Sequence, residues 1–117
     1  MIVYHGTGDY NLEGLLTTLP MRRTRSYVRR KCFCTTTNFN IATLFAIRQT
    51  TFEALRSGLV SGIVLEYDLG GVADKDYAQA RDPSALQIER EIAVFNVSRL
   101  QLRAVWRMRD KWRREIT

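Results

Sequence analysis

Residues 33–48 read FCTTTNFNIATLFAIR, and the change of character at their midpoint decides the fold class. The first half continues Lys31 and Cys32 into KCFCTT, a short stretch of residues that favour extended backbone. The second half is helical: Asn38 stands in a capping position, Ile41, Leu44, Phe45, Phe52 and Leu55 recur at helical spacing, and Gly58 is a stop. Outward from this junction, IVYH near the start reads as a first strand. DYNLEGLLTT reads as a short helix capped by Asp9 and ended by Pro20. GIVLEYDL (62–69) is a strand, 70–85 a polar loop, and LQIEREIAVFNV (86–97) and LQLRAVWRMR (100–109) two more strands. In the last of these, Leu102, Ala104, Trp106 and Met108 alternate with Arg103, Val105, Arg107 and Arg109, which predicts a core face and a basic exposed face. The expectation is an α+β domain with one main helix packed on sheet.

Composition sets the outer bounds. A chain of 117 residues supports one domain (1–117), and 45% hydrophobic with 26% charged residues is the balance of a soluble globular protein. No apolar run reaches the roughly 20 residues that span a bilayer, and MIVYH lacks the basic start of a secretory signal. With Cys32 and Cys34 two apart and a single histidine, the reading is a reduced, cytoplasmic protein with no metal and no membrane partner. The net charge is +6, and only Lys31, Lys75 and Lys111 are lysines. Arginines gather in MRRTRSYVRRK (21–31) and RAVWRMRDKWRR (103–114), a surplus suited to pyrophosphate, nucleic acid or an acidic protein.

Three stretches carry candidate chemistry. In YHGT, His5 and Thr7 share a strand face and Gly6 permits close backbone approach. In FCTTT, Thr35 and Thr37 offer hydroxyls at a strand–helix junction. In EREI, period two puts Glu89 and Glu91 on one face of a strand that continues as apolar IAVFNV, and buried paired carboxylates need a reason. Each has a bland reading as well: a packed histidine, strand-favouring threonines, a charged surface strand.

Taken together, YHGT, FCTTTNFNIATL and EREIAVFN resemble, in order and spacing over nearly the whole chain, the ADP-ribosyltransferases. The sequence is a hybrid of two branches. HGT and Glu91 resemble the polymerase-like branch, in which Phe33 takes a tyrosine position and Leu44 a later stacking tyrosine. Phe33–Thr37 and Glu89-Arg90-Glu91 resemble the aromatic-x-Ser-Thr-Ser and Glu-x-Glu motifs of the arginine-specific toxins. The resemblance implies a single ADP-ribosyltransferase-like domain with an antiparallel-rich split sheet, one main helix and a short N-terminal helix. It implies NAD as co-substrate, with Glu91 and Glu89 catalytic. His5 would bind the adenosine ribose and Gly6 the carboxamide. Thr7, Phe33, Thr35, Thr37 and Arg22 would complete the cofactor site, with Phe39 or Phe45 supplying the aromatic wall that Leu44 lacks. Tyr77, Arg81 and Gln87, in the loop before the Glu-x-Glu strand, would face the acceptor. The implied activity is mono-ADP-ribosylation of a macromolecule, protein arginine favoured, by a small toxin or phage-type effector. An inhibitory antitoxin or immunity protein is a further implied partner. The alternatives are ADP-ribosylation of DNA or RNA, and a non-catalytic module that binds NAD, ADP-ribose or nucleic acid.

Overall fold

The computed structural model describes residues 1–23, 30–57, 61–79, 91–108 and 111–116. Along them run β1 (Ile2–Gly8), a 3-10 turn (Asp9–Asn11), α1 (Leu12–Thr17), β2 (Arg22–Arg23), β3 (Lys31–Thr36) and α2 (Phe39–Ser57). Then follow β4 (Gly62–Asp68), a second 3-10 turn (Asp74–Asp76), β5 (Tyr77–Gln79), β6 (Glu91–Val94), β7 (Gln101–Met108) and β8 (Trp112–Ile116). The strands form one sheet in the order β5-β6-β3-β1-β4-β7-β8, with β2 beside β3, and every pairing is antiparallel. This is the expected α+β class with an antiparallel sheet, a main helix and a short N-terminal one.

The sheet is continuous, yet it narrows to a seam. β1 pairs with β4 along its whole length, Ile2 with Asp68 through Gly8 with Gly62, but meets β3 only at Tyr4 and Thr36. The strand–helix junction holds this arrangement. Thr36 Oγ1 accepts the Asn38 N–H (3.1 Å), and Asn38 Oδ1 accepts the Ile41 N–H (3.2 Å), so Asn38 caps α2 as its sequence position suggests. The helix then lies directly on β1. A methyl group at Gly6 would stand 1.8 Å from the Ala42 carbonyl oxygen, so the close approach that Gly6 permits is that of α2 itself.

Each face of the sheet buries its own cluster. One gathers Val3, Phe33, Ile63, Leu65, Ile92 and Val94 with Leu15 of α1; the other gathers Ala42, Ala46 and Val64 with Tyr4, Phe39, Trp106 and Trp112. At about 1.5–3 kcal/mol for each fully buried large side chain, these clusters supply the main drive to fold.

Several local expectations need correction. Asp9 lies in the 3-10 turn and makes no capping bond; α1 begins after Asn11, whose amide donates to Thr7 Oγ1 (2.9 Å). The stretch 70–85 is not all loop, because Tyr77–Gln79 pair with β6 as an edge strand. On β7, Val105 is buried rather than exposed. A register shift at Glu66/Tyr67 puts Leu102 opposite Tyr67 and Val105 opposite Leu65, while Ala104 and Trp106 face Glu66 and Val64. Both sides of β7 are therefore covered. Its arginines carry their own counter-ions: Arg103 pairs with Asp68 (3.3 Å) and Arg107 with Glu115 (3.1 Å). Gly58 and Arg109 lie outside the described residues. Among the described residues no helix is long and apolar enough to cross a membrane.

Candidate functional site

Where β1 and β3 part, the sheet opens into a cleft of about 750 Å3. Its walls are His5, Gly6 and Thr7 of β1, Tyr10 and Asn11 of the following turn, Arg22 and Arg23 of β2, and Cys32 to Thr36 of β3. Phe45 and Gln49 of α2, Glu91 of β6 and residues of and around α1 also line it. The volume falls within the roughly 300–1,000 Å3 of small-molecule sites.

His5 is fixed from two sides. Its Nδ1–H donates to the Cys34 carbonyl (2.8 Å), and its ring lies tilted on Phe33 with centroids 4.6 Å apart. Burial pushes its pKa below the ordinary histidine value, against the Cys34 bond, and the Arg22 charge pushes the same way as burial. The imidazole is thus neutral at pH 7. With the proton on Nδ1, Nε2 is an acceptor, the right polarity for a sugar hydroxyl. Phe33 itself has no exposed surface and also stands edge-on to Tyr67 (5.6 Å). Its part in the site is to back His5 rather than to offer a ring face.

Glu91 is 9% exposed on a cleft wall. Its register partner across β3 is Thr36, so by strand alternation it shares a face with Thr36 and Cys34. Burial above all, then the neighbouring Cys32 and the Glu91 charge, hold the Cys34 thiol far above its usual pKa. It is therefore a protonated donor. Cys32 Sγ lies 3.8 Å from Cys34 Sγ.

Thr35 and Thr36 both line the cleft, and the register gives them different neighbours. Thr35 sits opposite Ile92 and donates its hydroxyl to the Ile92 carbonyl (2.8 Å), closing the β3–β6 pair. The hydroxyl beside Glu91 belongs to Thr36. Thr37 lies beyond the end of β3 and is not among the cleft-lining residues. Of the two phenylalanines offered as an aromatic wall, Phe45 lines the cleft, whereas Phe39 packs between Tyr4 (5.4 Å) and Trp106 (4.6 Å). Leu44 points away, 65% exposed.

Arg22 lines the cleft as expected, joined by Arg23. Arg30 instead places its guanidinium 3.8 Å from the centre of the Phe95 ring. Tyr77 starts an edge strand, packs against the core and donates its hydroxyl to Asp74 (3.3 Å), away from the cleft lining. Glu89, Arg81, Gln87, Arg25 and Arg29 lie outside the described residues. Sequence reasoning missed Asn11, Cys34 and Gln49 as cleft residues. Their place depends on contacts made by the turn after β1, the β3–β6 register and α2. Among the described residues no cluster of three or more His, Cys, Asp or Glu side chains could hold a metal ion.

A second buried carboxylate stands on the α2 side of the sheet. Glu66 of β4 accepts two bonds from Arg114 of β8 (2.6 and 3.2 Å) and one from Trp106 Nε1 (3.1 Å). The Arg114 bonds, more than Trp106, hold its carboxyl below the usual range despite burial.

Comparison of the chain with protein-family models, curated proteins and solved structures finds no match in any of the three.

Proposed function

We propose that this chain is an NAD-dependent mono-ADP-ribosyltransferase that moves ADP-ribose to a macromolecular acceptor and releases nicotinamide. The observation that carries the reading is a buried carboxylate, Glu91, on the wall of a ligand-sized cleft that also holds a neutral, oriented His5. NAD supplies an electrophilic ribose carbon, whose bond to nicotinamide breaks with the electron pair leaving on the nicotinamide nitrogen. Glu91 stabilises the positive charge that builds on that ribose, as carboxylates do at glycosidic centres. Cys34 and Thr36 stand on the same strand face as Glu91. His5 Nε2 accepts from a hydroxyl of the adenosine ribose, Arg22 and Arg23 at the rim suit the pyrophosphate, and Phe45 offers an aromatic wall. Glu89, two residues before Glu91, takes the acceptor proton, and a guanidinium is the acceptor best matched to a carboxylate pair.

A nucleic-acid acceptor is the second reading, favoured by the exposed Arg22 and Arg23 at the cleft. The ion-paired Arg103 and Arg107 give it less support than their number in the sequence promises. Incubation with NAD labelled in the adenosine half, with separate pools of protein, RNA and DNA, tests both. Label on protein with release of nicotinamide supports the first reading and label on nucleic acid the second. No release of nicotinamide from any mixture removes the transferase reading and leaves a binding module.

A further inference from the structure

α2 is apolar on both sides. Its inner face, with Ala42 and Ala46, is spent on β1 and β4, yet Leu44, Ile47 and Leu55 on the other side are 65%, 46% and 85% exposed. At about 100° per residue, Leu44, Ile47, Thr51 and Leu55 fall in one stripe roughly 80° wide, spaced three and four residues apart. That spacing is the seam a second helix reads. The fold gives no reason for it, because a helix already packed by alanines needs only polar residues outside.

Charge decides what the stripe fits. Arg48 flanks it, exposed, and no described side chain of the stripe is acidic. A second copy of this chain would bring another +6 and another Arg48 to the same seam, an unfavourable pairing. An occupant with acidic residues beside an apolar seam is matched on both counts. The seat also ends at the cleft: Phe45 and Gln49, on the flank of the same helix, line it, and Tyr10 donates its hydroxyl to Gln49 (3.2 Å).

We propose that the outward face of α2 docks an acidic amphipathic helix of a partner protein, seated so that it borders the cleft mouth. The docking stands on the exposed stripe and the charge of Arg48, and does not rest on the function proposed above.

The test titrates the full chain into a fluorescein-labelled synthetic helical peptide with leucines along a heptad seam and glutamates on both flanks. Two controls carry lysines in place of the glutamates, or serines in place of the leucines. Fluorescence anisotropy is expected to show both controls binding at least tenfold more weakly. Leu44→Glu and Ile47→Glu should each weaken the glutamate peptide at least tenfold, and Arg48→Glu should shift preference to the lysine peptide. Circular dichroism verifies that each variant is folded, as substitutions at exposed positions should be. Equal binding of the glutamate and lysine peptides, absence of binding, or indifference to Leu44→Glu overturns the proposal. So does sedimentation of the wild-type chain as a dimer that Leu44→Glu returns to monomer, since the face would then serve a second copy. Peptide binding in the expected pattern without any NAD turnover leaves the docking intact and removes only the transferase reading.

Discussion

Glu66 and Glu91 are both buried on sheet strands, but only Glu91 lines the cleft. Glu66 meets a guanidinium twice and an indole N–H once, and the ensemble ties β8 to β4 across β7. Its charge is consumed in holding the fold. Glu91 shares its strand face with Cys34 and Thr36 and lies on the wall of the cleft. A buried carboxylate tied to a guanidinium on a packed face reads as structure, whereas one on a cleft wall is within reach of a ligand, as the proposed function requires.

The sharpest way to break this contrast is to neutralise Glu91. Glu91→Gln keeps the shape, so NAD turnover should fall about 10²–10³-fold while thermal stability changes little. Turnover close to wild type would make Glu91 a second Glu66. The converse substitution, Glu66→Ala, should leave turnover per folded molecule unchanged and cost about 1–3 kcal/mol, less than a fully enclosed pair because Arg114 is partly exposed. The sign with pH follows from its lowered carboxyl pKa. The contribution is complete above the unfolded value of about 4.3 and lost as pH falls through the lower folded value. Urea unfolding of wild type and variant at pH 7 and pH 3 should therefore show a gap that closes in acid.

A smaller effect separates binding from chemistry on the opposite wall. His5→Ala should raise the KM for NAD about tenfold while lowering kcat less than threefold, since its assigned contact is remote from the bond that breaks. Because burial lowers its pKa, NAD affinity of the wild type should hold down through pH 6.5 and weaken only below it. A larger change in kcat than in KM would move His5 into the chemistry. Smallest of all, Arg103→Ala or Arg107→Ala should shift stability by less than about 0.5 kcal/mol and leave the salt dependence of transfer unaltered. A flattened salt response in either variant would return those arginines to an acceptor surface.

Local signals in the sequence were legible and non-local ones were not. KCFCTT and GIVLEYDL announce β3 and β4 because β-branched and aromatic residues crowd them, and Asn38 announces α2 because capping is a contact over three residues. β2, β5 and β8 escaped notice: they are short, polar edge strands that exist only through their partners. The same limit applied within the site. Glu91 and His5 were recognisable by type, but telling the neighbours of Thr36 from those of Thr35 required the β3–β6 register, and the reason for Gly6 lay in α2, 36 residues further along at Ala42. The Glu66–Arg114 pair spans 48 residues and leaves no mark in either local stretch.

The single rung at Tyr4 and Thr36 bears on how readily the cleft could be reshaped by drift in sequence. Between β1 and β4 the spacing is dictated by a full backbone ladder, indifferent to which side chains it carries. Across the seam the ladder contributes one rung, and the separation depends on the bulk of Phe33 against His5 and Tyr67 and on the His5–Cys34 bond. A change of bulk at His5 or Phe33 acts first on this separation, where the backbone ladder is thinnest. The seam thus concentrates the molecule's capacity to acquire a new specificity in a few interior side chains.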